Sequence, residues 1–139
     1  MNAQQSLIEA MVDCLGYGHV EAKTAARGQH AIVMRRFRRV LEENPGQPLY
    51  IAEICKAIGV SDRTLRVCCQ EQLGMGPKHY LLLRRLHLAR QALREVSTDA
   101  ATVTEIATRC GFWHFGRFAG EYQSLFGEPP SSTLLAQPN

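Results

Sequence analysis

The chain has 139 residues, a formal net charge of +3 and an apolar share of 45%, which bounds it to one compact domain, with room for an appendage and enough apolar content for a real core. No apolar run approaches the length of a membrane span and the N-terminal stretch has no secretory pattern, so no membrane partner is expected and the expected location is the cytoplasm. The odd set of cysteines (Cys14, Cys55, Cys68, Cys69 and Cys110) argues for reduced thiols rather than a disulfide framework.

Leu7, Ile8, Met11, Val12 and Leu15 share one face at helical spacing, and Gly16-Tyr17-Gly18 stops that helix. The small, polar stretch from His19 to His30 reads as a linker, so residues 1–30 form the appendage. A helix from about Ala31 to Glu43 turns Val33, Phe37, Val40 and Leu41 inward. Asn44-Pro45-Gly46-Gln47-Pro48 ends it, because proline cannot continue the hydrogen-bond ladder. Ile51, Ile54 and Ile58 form the stripe of the next helix. Gly59 makes the turn, and Ser61 caps a helix that reaches about Leu73. Pro77 opens a long helix to about Glu95, with Tyr80, Leu81, Leu83, Leu86, Leu88, Ala92 and Leu93 as its apolar content. After a short connection a further helix starts near Thr102, and a last short one follows Pro130. No stretch reads as a strand.

One pattern occurs twice. Ile51-Ala52-Glu53-Ile54-Cys55-Lys56-Ala57-Ile58-Gly59-Val60 returns as Val103-Thr104-Glu105-Ile106-Ala107-Thr108-Arg109-Cys110-Gly111-Phe112, with the glycines 52 positions apart. Each copy is followed by an apolar stripe, Leu65/Cys69/Leu73 and Phe118/Tyr122/Phe126. Each closes on Gly-x-x-Pro, from Gly74 to Pro77 and from Gly127 to Pro130. Helix, glycine turn, helix, stop is the order of a helix-turn-helix unit, whose second helix enters a DNA major groove. The predicted fold is therefore all-α: a first helix-turn-helix unit over 31–76, a linker helix over 77–96 and a second unit over 97–139. A helix from Pro77 to Glu95 rises about 28 Å at about 1.5 Å per residue, against about 34 Å between successive major-groove segments on one face of B-DNA. The two units differ in sequence, so the expected operator is a pair of direct, non-palindromic half-sites.

The paired units, the joining helix and the Gly-x-x-Pro closures resemble the DNA-binding domain of the AraC/XylS family of bacterial transcription regulators over roughly residues 31–136. The stretch Gly111-Phe112-Trp113-His114-Phe115-Gly116-Arg117-Phe118 through Tyr122, with Leu125-Phe126-Gly127-Glu128 and Pro130-Ser131, is most similar to the branch that holds the ethanolamine-utilisation activator. The resemblance implies double-stranded DNA and RNA polymerase as partners and an activating role. In such relatives an effector-sensing domain precedes this segment, so the 1–15 helix is expected to be the tail of a sensor. Residues 7–15 are also a candidate self-association element.

In the first unit Leu65, Cys69 and Leu73 point inward and leave Arg63, Arg66 and Gln70 as one outward stripe at i, i+3, i+7. Arg pairs bidentately with guanine and Gln with adenine. By resemblance Arg63, Arg66 and Val67 match base-reading positions. The family commonly has Arg where Val67 stands, and valine there offers contact with a thymine methyl instead. Ser61 and Thr64, at the start of the helix, complete the expected DNA-binding set. The plain alternative is that Arg63 and Arg66 only solvate a surface helix.

In the second unit the matching positions are Phe115, Gly116 and Gly120, none of which offers a base a side-chain hydrogen bond. Either the glycines admit a close approach, with His114 and Arg117 on phosphates, or this unit mainly anchors and specificity sits in the first; anchoring is the favoured reading. Trp113 reads as a core plug and His114 equally as a cap or a contact. Residues 1–30 sum to −1 and residues 31–139 to +4, with arginine far outnumbering lysine. Arg35, Arg38, Arg39 and Lys78 are candidate phosphate contacts. Arg84, Arg85, Arg90 and Arg94 stand evenly between that role and pairing with carboxylates such as Glu95.

No Ser/His/Asp grouping, phosphate-cradling glycine loop or zinc-protease motif occurs, so neither an enzyme nor a cofactor is expected. Cys110 and His114 are four apart, but a zinc site needs about four converging ligands and Cys55, Cys69 and Cys110 lie on core stripes, so no metal is expected. Glu53 and Glu105 occupy equivalent repeat positions, which suggests a structural role such as pairing with an arginine. The expected function is a sequence-specific DNA-binding transcription regulator. The alternatives are a helical protein-interaction module without DNA affinity, and a complete small regulator that binds DNA as a monomer.

Overall fold

The computed structural model describes residues 25–136, and no strand occurs among them. Helix α1 covers 25–43. The others are α2 (Ile51–Ile58), α3 (Asp62–Leu73), α4 (Pro77–Glu95), α5 (Val103–Arg109), α6 (Phe115–Phe126) and α7 (Pro130–Leu135). The readings made for residues 1–24, including the 1–15 helix, lie outside the described residues. None of the described helices is long and apolar enough to cross a membrane.

The linker read over 19–30 is corrected in its described part, because residues 25–30 are already helical. Ala25, Ala26 and Arg27 are strong helix formers. His30 also hydrogen-bonds the Glu71 carboxylate on α3, which ties this first stretch of α1 to the first unit.

Local chemistry sets the helix ends. The Gly-x-x-Pro closures have one physical meaning in both copies. Gly74 (φ 72°) and Gly127 (φ 77°) end α3 and α6 in the left-handed conformation, and Pro77 and Pro130 open the next helices where no amide is needed. At α5, Thr102 Oγ1 accepts from the Glu105 amide at 3.2 Å while the Glu105 carboxylate accepts from the Thr102 amide at 2.8 Å. Glu105 thus caps its own helix rather than pairing with an arginine.

Two apolar clusters hold the helices. The first joins Met34 and Phe37 of α1, Ile54 and Ile58 of α2, Leu65, Cys68 and Cys69 of α3, and Leu81 of α4. The second joins Leu86, Ala89 and Leu93 of α4 with Ile106 and Ala107 of α5, Phe118 and Tyr122 of α6 and Leu134 of α7. Helix α4 thus contributes to both, and each large apolar side chain so buried supplies about 1.5–3 kcal/mol. The second cluster is closed by a polar chain: Thr133 donates to Glu128 Oε1 at 2.6 Å, so the Tyr122 hydroxyl donates to Thr133 Oγ1 at 2.7 Å.

The arginines of α4 mostly turn onto the protein itself. Arg84 donates to the carbonyls of Leu41 (3.4 Å), Asn44 (2.6 Å) and Gln47 (2.7 Å), where α1 ends. Arg85 donates to Leu49 O at 2.8 Å and lies 4.7 Å over the Tyr50 ring. Arg90 lies 4.5 Å over the ring of Phe126. None of these three meets a carboxylate; Glu95 instead accepts from Gln91 Nε2 at 3.1 Å.

Candidate nucleic-acid interface

Helix α3 begins at Ser61, whose Oγ accepts from the Thr64 amide at 3.1 Å while its hydroxyl donates to Thr64 Oγ1 at 2.9 Å. Both side chains are therefore engaged in the cap. Leu65, Cys68 and Cys69 are buried on one side of the helix. On the other, Arg63, Arg66, Val67 and Gln70 are exposed and line one shallow hollow together with Gly76. Arg66 lies 3.6 Å from the Asp62 carboxylate with both side chains exposed. A pair of that kind is weak and screened by salt, so it leaves the guanidinium available to a stronger anion.

Helix α6 is built on the same plan. Phe118 and Tyr122 are buried. His114 is the N-cap and its Nδ1 accepts from the Arg117 amide at 3.4 Å, so of the two roles read for this histidine the cap is realised. A second hollow, of about 570 Å³, is lined by His114, Arg117 and Trp113 from this end, by Lys78 and His79 from α4, and by Gly76. Gly76 borders both hollows, so the outer face of α3 and the N-terminal end of α6 adjoin at the start of α4. Phe115, Gly116 and Gly120 are exposed on α6, with no non-local atom crowding either glycine.

Trp113 overturns its reading as a core plug: it is 85% exposed. The cause is a difference in turn length. One residue, Val60, separates Gly59 from the cap Ser61, whereas Phe112 and Trp113 separate Gly111 from the cap His114. Phe112 does what Val60 does. Its amide donates to Ala107 O at 2.9 Å, as that of Val60 donates to Cys55 O at 3.1 Å, and each packs on its own core. Trp113 is the surplus residue, and it is pushed out.

Two further exposed residues are not among the expected contacts. His79 lines the larger hollow beside Lys78. Gln123 is exposed nine positions after its cap, as Gln70 is after Ser61; counting from the caps rather than from the glycines would have found it. Arg35, Arg38 and Arg39 line a separate groove with Gln72, and Arg39 sits 3.3 Å from Glu43. Among the cysteines, burial pushes the Cys69 thiol up to about 11 and raises Cys110 as well. Both stay protonated at neutral pH, which suits core packing and not metal ligation.

A helix-turn-helix domain family matches residues 54–136. A probable AraC family transcriptional regulator from Rhodopseudomonas palustris is 34% identical, and the match covers 76% of this chain and 98% of that one with a TM-score of 0.66. The chain belongs to the AraC-type family. An AraC-type DNA-binding domain structure from Chromobacterium violaceum is 29% identical, covering 81% of this chain and 99% of that one, with a TM-score of 0.65. Among full sequences, the probable thc operon regulatory protein of Rhodococcus erythropolis is 44% identical over 98 residues, and the XylDLEGF operon transcriptional activator 2 of Pseudomonas putida is 36% identical over 101. Each match covers 70% of this chain, but only 30% of the first relative and 64% of the second. The chain is thus an AraC-type helix-turn-helix DNA-binding domain of the transcription-regulator class.

Proposed function

We propose that this AraC-type chain activates transcription by reading two successive major-groove segments of duplex DNA. In this reading α3 supplies most of the base contacts and α6 grips the second segment. The observation that supports it is the shared border at Gly76, where the hollow lined by Arg63, Arg66, Val67 and Gln70 adjoins the one lined by His114, Arg117 and Lys78. Arg63 and Arg66 pair with guanine and Gln70 with adenine, while Val67 meets a thymine methyl. Lys78 and Arg117 neutralise phosphates between the two segments, and Phe115, Gly116 and Gly120 face the second groove. RNA polymerase is the proposed partner for activation, since the Pseudomonas putida relatives are named as operon activators. Arg35, Arg38 and Arg39 supply outlying phosphate contacts, and nucleoid association follows from DNA binding.

Selection of bound sites from random duplex DNA tests the reading. The expected product is a pair of unlike direct half-sites one helical turn apart. Arg63→Ala and Arg66→Ala should each relax preference at one position of the first half-site at a cost of about 1–3 kcal/mol. If both variants keep the wild-type preference, the assignment of α3 as the reading helix fails.

A further inference from the structure

Six large apolar side chains are exposed among the described residues, and three of them, Val67 (48%), Trp113 (85%) and Phe115 (47%), sit on or beside the two helices assigned to DNA. Exposing an indole to this extent forgoes a large burial gain. No internal packing need explains it, because Trp113 is the one residue by which the second turn exceeds the first, and Phe112 already fills the core position. Cations outnumber the one carboxylate around it: Trp113 shares the hollow with Lys78, Arg85 and Arg117 and with Glu121. An apolar surface rimmed by cations fits a polyanion that carries apolar groups within reach. In the major groove of DNA the apolar group on the base edges is the thymine 5-methyl.

The outer face of α6 sharpens the point. Where α3 presents Arg63 and Val67, α6 presents Gly116 and Gly120 when the helices are aligned on their caps. Direct hydrogen-bond readout at these two positions is absent, so shape and apolar contact are the readout that they leave. We infer that the second unit recognises thymine by its methyl groups, through Trp113 and Phe115, and so reads sequence rather than merely anchoring the chain. This rests on the DNA reading proposed above.

The test replaces thymine by deoxyuridine, which removes only the methyl and leaves every hydrogen-bonding edge unchanged. The full 139-residue chain is titrated at one salt concentration against its selected duplex, with the substitution confined to the half-site whose preference survives Arg66→Ala. Affinity should fall by about fourfold for each methyl that is contacted. The double variant Trp113→Ala, Phe115→Ala should bind the thymine and deoxyuridine duplexes alike, while a cooperative thermal transition shows that it remains folded. Equal binding of both duplexes by the unaltered chain overturns the inference and leaves the DNA reading standing. So does a second half-site that contains no thymine, or a double variant that still tells the duplexes apart. A chain that retains no duplex of any sequence fails the DNA reading itself, and the methyl inference falls with it.

Discussion

Gly111 lies so close to Pro48 that a Cβ added to it would stand 2.7 Å from the proline Cβ, with the Tyr50 hydroxyl 3.3 Å away. Gly111 belongs to the turn of the second unit, while Pro48 and Tyr50 lead into α2 of the first. The two units therefore touch directly as well as through α4. Arg85 reinforces the same joint from α4, bonding Leu49 O and covering Tyr50. Fixing the angle between α3 and α6 is what the proposed two-segment grip requires.

Gly111→Ala should therefore cost more than the same change at the matching glycine. Gly111 has φ 90° and meets Pro48, whereas Gly59 has φ 73° and open space around a Cβ. Strain in the left-handed region alone is about 1–2 kcal/mol, and crowding adds about 1–3 kcal/mol at Gly111. Urea unfolding of the two variants checks the order, and equal losses would show that the contact with Pro48 yields freely.

Arg84→Ala and Lys78→Ala should separate structural from phosphate-binding cations. Arg84 serves three backbone carbonyls at the end of α1, so its loss should lower stability by about 1.5–3 kcal/mol and leave the salt dependence of DNA binding as it was. Lys78 is exposed at the start of α4. Its loss should change stability by less than about 0.5 kcal/mol, weaken all sequences alike and reduce the salt slope by about 1. Paired denaturation and salt titrations distinguish them.

Gly120→Ala should move stability and binding in opposite directions. The position lies inside α6 with nothing near a Cβ, so alanine should stabilise the helix by about 0.5–1 kcal/mol. A methyl group between α6 and the groove floor should lower DNA affinity. A variant that is more stable and binds undiminished would place Gly120 outside the interface.

Alkaline pH should destabilise the first unit. Burial is the largest cause raising Cys69, from 9.0 to about 11, so the folded chain holds its proton more tightly than the unfolded chain. The neutral thiol's contribution is complete below about pH 9 and is lost as pH rises toward 11, because the unfolded state then releases a proton that the folded state retains. Denaturation midpoints measured across that interval should fall, and Cys69→Ala should flatten the decline.

Much of this architecture is visible without coordinates, and the reason is local. The stripes Ile51/Ile54/Ile58 and Leu65/Cys69/Leu73 mark buried faces, Ser61 announces a helix start, and each Gly-x-x-Pro announces a stop followed by a new helix. These signals lie within a turn or two of chain, where propensity and capping act. The outward stripe Arg63, Arg66, Gln70 follows from the same periodicity. Residues 25–30 misled because small and polar composition suits a linker as well as a helix. Trp113 misled because two repeats so alike invite the same role for each turn residue, and the extra residue shows only on counting to the caps.

The amino-acid order alone therefore determined two helix-turn-helix copies, their caps and the sides that turn outward, since each depends on neighbours a few positions away. The folded chain decided which cations remain for a partner. Arg84 and Arg85 spend their hydrogen bonds on carbonyls 36 to 43 positions away, while Arg63, Arg66 and Lys78 stay exposed. A guanidinium binds whichever acceptor the packing brings within about 3 Å, and only the packing of α1 and the 47–50 segment against α4 put those carbonyls there.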